Sequence, residues 1–210
     1  MRIHDTADAI IDAVRRDYPD AARAVRLASE HVQGCKGMVS QFQAYALYAL
    51  AAPYNRRGAG ALEIGTAYGF SAAVMAMAAP QMHLTTLNPQ AHEVAAARAA
   101  LAALELYNVT VVQDVSWDYH ATYTGPHLDL VFVDGDHANV RRDFVWWEWL
   151  KPGGLMLFHD YSPEGTWRAC PPVYAALNER RAQVGRDFDV LISDEAGVGM
   201  AGWYKEAIDG

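Results

Sequence analysis

Leu62-Glu63-Ile64-Gly65-Thr66-Ala67-Tyr68-Gly69-Phe70-Ser71 is the stretch that decides the fold. It reads as a buried strand, a glycine turn and a helix start. Gly65 and Gly69 let the backbone pass close to a ligand, and the free amides of the following helical turn, with Ser71, attract an anionic group such as a carboxylate. Taken alone, the stretch serves equally well as an ordinary strand-to-helix turn. Its spacing departs from the dinucleotide fingerprint, which wants G-x-G-x-x-G and an acidic residue closing the next strand. Here the next apolar run closes on Leu87-Asn88-Pro89, which disfavours a nicotinamide enzyme.

Outward from that turn, short apolar runs alternate with helical stretches, the pattern of a parallel sheet with helices on both faces. The sequence predicts strands at 61–65, 83–88, 109–113, 128–134 and 155–159. Helices are predicted at about 70–79, 91–106 and 138–150, the last with Val140, Phe144 and Trp147 on one stripe. Beyond Tyr161 come a loop, a helix near 172–183 and two apolar segments, 188–192 and 198–204, that read as a closing antiparallel pair. Residues 5–53 read as helical, broken at Gly34-Cys35-Lys36-Gly37 and ended by Pro53 and Gly58. This divides the chain into a helical N-terminal extension, 1–57, and an α/β domain, 58–210.

A chain of 210 residues, 52% of them hydrophobic, supports one sizeable core. The net charge of −8 and the scattered arginine pairs argue against a nucleic-acid surface, which needs clustered Lys and Arg, and favour a small-molecule partner. Cys35 and Cys170 form neither a disulfide framework nor a CxxC metal motif, which fits a reducing cytoplasm. The longest apolar stretch, about 42–54, is too short for a bilayer, and no leader pattern opens the chain.

Two later motifs give the first one company. They are Val131-Phe132-Val133-Asp134-Gly135-Asp136-His137 and Lys151-Pro152-Gly153-Gly154-Leu155-Met156-Leu157-Phe158-His159-Asp160-Tyr161. With the E-x-G-x-x-x-G of 63–69, residues 61–161 resemble the class I S-adenosylmethionine-dependent methyltransferases. The nearest resemblance is to the metal-assisted small-molecule O-methyltransferase branch that includes catechol O-methyltransferase and antibiotic-tailoring sugar methyltransferases. The resemblance implies a Rossmann-like α/β fold: a seven-stranded, mainly parallel sheet with an antiparallel last strand and helices on both faces. The cofactor it implies is S-adenosyl-L-methionine.

Carried over by position, the resemblance places Glu63 and Gly65, with Thr66 in the same turn, beside the cofactor's methionine and adenosine portions, and Tyr68 and Ser71 near its carboxylate. The strand-end acid that usually holds the ribose hydroxyls is Asn88 here. An amide still accepts one such bond but loses the charge assistance. Asp114, Val115 and Ser116 fall where the family reads the adenine edge, and each is equally readable as part of a solvated turn. Trp117 is placed to cover the adenine ring or to cap the core. Met38, Gln41 and Tyr45 stand on the preceding helices, which in the family form a lid, and the resemblance also implies a homodimer or higher homo-oligomer.

Asp134 and Asp160 end neighbouring strands, where open α/β sheets bind ligands. In the metal-assisted relatives such positions hold a divalent ion that lowers the pKa of the acceptor hydroxyl. Asp134 is therefore counted among cofactor, metal and catalytic residues, and Asp160 and His159 among metal ligands. Magnesium favours hard oxygen donors, whereas an imidazole suits a softer ion, so His159 is open between ligand, base and orienter. His137 is open between general base and helix cap, and Asp136 reads as a helix-start anion. The Trp146-Trp147-Glu148-Trp149 cluster reads as core or subunit contact. The expected reaction is methyl transfer to a hydroxyl oxygen of a small molecule. Its rivals are a non-catalytic adenosyl-cofactor-binding protein and a different Rossmann-like enzyme acting on a nucleotide or nucleotide sugar.

Overall fold

The structure, a computed structural model, describes residues 2–4, 6–32, 39–161, 163, 170–193 and 198–206. The Gly34 to Gly37 break and Met38 lie outside the described residues.

Helices α1 (Ala7–Asp17), α2 (Ala21–His31) and α3 (Gln41–Ala51) precede strand β2 (Gly60–Ile64). Then follow α4 (Phe70–Ala78), β3 (His83–Leu87), α5 (Ala91–Ala103), β4 (Val109–Val112), α6 (Ser116–Thr122), β5 (Leu128–Val133), α7 (Val140–Asp143), β6 (Leu150–Tyr161), α8 (Pro171–Val184), β7 (Val190–Ser193) and β8 (Gly199–Tyr204). All seven expected strands are present in one sheet. An eighth, β1 (Arg2–His4), adds in parallel to β7 at the edge, giving the order β1-β7-β8-β6-β5-β2-β3-β4. Three residues are too few to carry a periodic signal, so this strand has no sequence signature. Among the described strands only β8 runs antiparallel to its neighbours, β6 and β7.

Helices cover both faces of the sheet, so β2 and β5 are buried along their whole length, as parallel strands require. Side-chain parity divides the core in two. Ala61, Leu84, Leu130, Phe132, Leu155 and Leu157 face α1 to α5, whereas Leu62, Ile64, Val131, Val133, Met156 and Phe158 face α8 and the segment after β5. The N-terminal helices thus share a core with the sheet: Ile10, Val14, Ala28 and Leu47 belong to the same apolar cluster as Phe132.

Two local expectations are corrected. The predicted 138–150 helix is only the four residues of α7, flanked by 3-10 turns at His137–Asn139 and Phe144–Trp149. Aromatic residues are indifferent helix formers, and here tertiary packing decides. Trp146 is fully buried among the rings of Tyr119, His120 and Tyr123, its Nε1 donating to Ser116 Oγ at 2.9 Å. The second is a helix the sequence reading did not include: Ser116, open between binding residue and turn, begins α6.

Candidate active site

The carboxyl ends of β2, β3, β4, β5 and β6 converge on one edge of the sheet, and every strand-end residue singled out from the sequence lies there. The turn after β2 is pinned by the Gly65 and Thr66 amides, which both donate to Leu87 O, at 2.9 and 3.0 Å. Gly65 has φ +105°, and a Cβ on it would lie 2.1 Å from the Asp134 carbonyl oxygen. This is the physical reason for a glycine: two loops cross at backbone contact.

Glu63 is wholly buried beneath the turn. It accepts hydrogen bonds from Ser71 Oγ, at 2.5 Å, and from Thr86 Oγ1, and Thr86 is in turn bonded to Thr66 at 2.5 Å. Burial pushes its carboxyl up to about 7, against the opposing pull of the two hydroxyls and with a further rise from Asp134. The charged form is therefore disfavoured in the fold, and the protein loses stability as pH rises from the unfolded value near 4.5 through 7. Glu63→Gln is expected to keep the fold and flatten that slope, gaining on the order of 3 kcal/mol relative to wild type between pH 4.5 and 7.5. Urea unfolding across that range checks it; parallel pH profiles would refute it.

Two cavities flank the turn, and both have Gly65, Ala67 and Asp134 in their walls. The larger, 320 Å³, is lined by Asn88, Glu93, Asp114, Val115, Ser116, Trp117 and Asp143. Asn88 Nδ2 donates to Glu93 Oε2 at 2.7 Å, so a carboxylate from α5 stands at the end of β3 where the sequence shows only an amide. The Val115 amide is already bonded to Asp114 Oδ1 at 2.8 Å. Trp117 presents an aromatic plane with the Arg142 guanidinium 4.5 Å from its ring centre. Glu93 and Asp143 escaped the sequence reading, because each lies on a helix and only the fold brings it to the cavity.

The smaller cavity, 150 Å³, is lined by Val39, Thr66, Tyr68, Ser71, His137 and Asp160. Neither Gln41 nor Tyr45 reaches it: Tyr45 is buried and accepts from Arg15 Nε at 3.0 Å. On its floor, Asp134, His137 and Asp160 bring one ligand atom each within 4.8 Å of one another. His137 Nε2 stands 3.6 Å from Asp134 Oδ1 and 3.7 Å from Asp160 Oδ2. His159 Nδ1 approaches the same carboxylates from beneath, at 2.9 and 3.3 Å. Asp160 adopts left-handed backbone, φ +58°, at the register irregularity of β6. The cap of the 3-10 turn is Asp136, whose Oδ1 accepts from the Ala138 amide at 3.0 Å, so the His137 ring is free to face the carboxylates.

Mutual attraction sets the protonation of this cluster. The facing Asp134 carboxylate raises His137, with Asp160 adding to the effect against the cost of burial. For His159, burial lowers the pKa but the two aspartates more than reverse it. Burial raises Asp134, and the two histidines outweigh it, leaving its carboxyl below the ordinary range. Yet His137 Nε2 and both ring nitrogens of His159 are buried without an aligned hydrogen-bond partner among the described residues. Among the described residues Asp134, His137 and Asp160 are the group whose ligand atoms cluster closely enough to share one cation. A hard divalent cation takes oxygen donors, which Asp134 and Asp160 would supply.

Residues 62–161 match a family model described as a methyltransferase domain. Among solved structures, cofactor-bound Rv0187 from MTB is 25% identical with TM-score 0.69, over 95% of this chain and 96% of that one. The O-methyltransferase TomG from Streptomyces achromogenes, in complex with SAM, is 21% identical with TM-score 0.66, over 88% and 89%. An O-methyltransferase from Bacillus cereus in complex with SAH is 18% identical with TM-score 0.67, over 94% and 97%. No curated protein matches the chain significantly. No helix among the described residues is long and apolar enough to cross a membrane.

Proposed function

We propose that the chain, whose residues 62–161 match a methyltransferase domain, uses S-adenosylmethionine to methylate a hydroxyl oxygen of a small molecule with the help of a divalent cation. The observation that carries this reading is the adjacency of two spaces across one glycine turn. One is the larger and lined by groups suited to an adenosyl ligand; the other is small and floored by Asp134, His137 and Asp160.

In this reading the adenosyl part lies in the larger cavity. The Glu93 carboxylate, held by Asn88, takes the place of the strand-end acid toward the ribose hydroxyls, and the methionine end lies along the turn at Gly65 to Gly69. Asp114, Val115, Ser116 and Trp117 border the base. Thr66, Ser71 and Glu63 act through one another: their hydroxyl and carboxylate bonds fix the turn that the cofactor rests on. Tyr68 walls the acceptor side.

The acceptor space of 150 Å³ suits a single aromatic ring or a group of like size. Asp134 and Asp160 are the oxygen donors that would hold a divalent cation, which when bound lowers the pKa of a hydroxyl beside it. His137 is the imidazole in the wall of that space and, in its neutral form, the group to receive the acceptor's proton. His159, closed off beneath, orients Asp134. Methyl transfer from a sulfonium is an in-line displacement, so the protein's task is alignment, exclusion of water and removal of one proton.

The first test is calorimetric titration of S-adenosylhomocysteine into the protein with magnesium, with manganese and with EDTA. Micromolar binding is the expected result, followed by metal-dependent turnover on a panel of phenols and sugar alcohols. Absence of binding overturns the proposal.

A further inference from the structure

A separate cavity of 330 Å³, comparable in size to the 320 Å³ one at the glycine turn, shares no wall residue with either space described above. It lies between α8 and the segment after β5, beside the end of β8, where the Lys205 amide donates to Gly154 O at 2.8 Å. Gly154 is near the start of β6, whereas Asp160 is near its finish. Three backbone periods build the walls. The 3-10 turn Phe144–Trp149 repeats every three residues, so Phe144 and Trp147 line up on one side. On α8, Arg180 and Val184 stand one turn apart and share a face. Trp203 and Lys205 alternate onto the same side at the end of β8. The aromatic walls rest on core rings, Phe144 on Phe158 at 4.9 Å and Trp203 on Phe188 at 4.7 Å. Lys205 Nζ donates to the carbonyls of Trp147, Glu148 and Leu150 at 3.0, 3.2 and 2.8 Å, which ties the 3-10 turn to β8 and fixes the shape of the cavity.

The charge of the walls decides the guest. Arg180, Arg186 and Lys205 face a single carboxylate, Glu206. Glu206 is taken by Arg186 at 2.7 Å, and Asp189 reaches the same guanidinium at 3.1 Å. The Lys205 ammonium is spent on its three carbonyls. Arg180 lies 5.8 Å from the Phe144 ring centre and has no carboxylate partner among the described residues. Its neighbour on α8, Glu179, is bonded to Arg141 at 2.9 Å. One unbalanced guanidinium in an aromatic cleft, on a chain of net charge −8, matches a monoanion, and its planar fork fits a carboxylate. We propose that this cavity is a second ligand site, which takes a small molecule with a planar aromatic body and one carboxylate. The ring system lies against Phe144, Trp147 and Trp203, and the carboxylate meets Arg180. The volume falls within the range of about 300–1,000 Å³ common to small-molecule sites.

The test is calorimetric titration of 2-naphthoate and of its neutral counterpart 2-naphthamide into the full chain, in EDTA and without cofactor, so its outcome is independent of the methyl-transfer reading. Wild type is expected to bind one 2-naphthoate per chain, on the order of 10-fold more tightly than the amide. Arg180→Gln is expected to bring the two probes within about twofold of each other and to leave amide binding unchanged, and Arg180→Lys to keep part of the preference. Trp147→Ala is expected to weaken both probes by on the order of 10-fold; Lys205 bonds to backbone carbonyls, so the turn keeps its tie to β8 in that variant. No saturable binding of 2-naphthoate, equal binding of acid and amide by wild type, or an undiminished preference in Arg180→Gln overturns the proposal. Absent binding together with a dimer in sedimentation that Trp147→Ala dissolves overturns it in favour of a contact between copies of the chain.

Discussion

Asp134→Ala is expected to lower kcat/KM for methyl transfer by on the order of 1,000-fold, assayed as S-adenosylhomocysteine release under saturating magnesium. Asp134 is common to both cavities and faces His137 and His159 at once. Removing it deletes an oxygen donor of the proposed cation site and withdraws the group that aligns both imidazoles; polarising interactions of this type contribute several kcal/mol to a barrier, and each 1.36 kcal/mol is tenfold in rate. Both histidines depend on Asp134 for part of their raised pKa, so the residual activity should also follow a pH profile displaced to lower pH. His159 is deeply buried, and taking away a buried partner is itself destabilising, so Asp134→Asn serves as the shape-preserving companion. Activity within about fivefold of wild type in both variants would remove Asp134 from the chemistry.

The largest effect on the fold is expected from Gly65→Ala. Its φ of +105° lies where a side chain is strained, which costs about 1–3 kcal/mol. The added methyl would stand 2.1 Å from the Asp134 carbonyl oxygen, 2.5 Å from its carbon and 2.9 Å from the Gly135 nitrogen, all of them backbone that cannot rotate away. Overpacking adds about 1–3 kcal/mol more. Together these are a large fraction of the 5–15 kcal/mol, roughly, that holds a domain folded. A fall in unfolding free energy by about 2–6 kcal/mol in urea, with loss of S-adenosylhomocysteine binding, is the expected pair of readings. A variant as stable as wild type would show that the two loops separate without cost.

The strand positions were readable because each combines a short apolar run with a polar or small closing residue, and the three motifs marked their carboxyl ends. Asp134, His159 and Asp160 were readable for the same reason, at or beside the strand ends, and His137 because it follows Asp134 in the same motif. What the sequence did not disclose depends on contacts between distant segments. Nothing in Arg141-Arg142-Asp143 separates Asp143 from a solvated acid, since its burial follows from Trp146 anchoring the turn onto Ser116. Glu93 reads as an ordinary first-turn acid of α5 until Asn88, five residues earlier, is seen bonded to it. The break-up of the expected 138–150 helix has the same origin, because the helical stripe of Val140, Phe144 and Trp147 competes with the demands of Trp146.

Strand β8 is synthesised after β7 yet is inserted between β6 and β7, bonded to both. On a ribosome delivering about 5–20 residues per second, β6 therefore waits with an unpaired edge while α8 and β7 emerge, and β1 waits longer still for β7. The last strand made thus closes a gap inside the sheet and does not extend its edge. A nascent chain halted before Gly199 holds an open β6 edge, the kind of template that recruits other strands and invites aggregation.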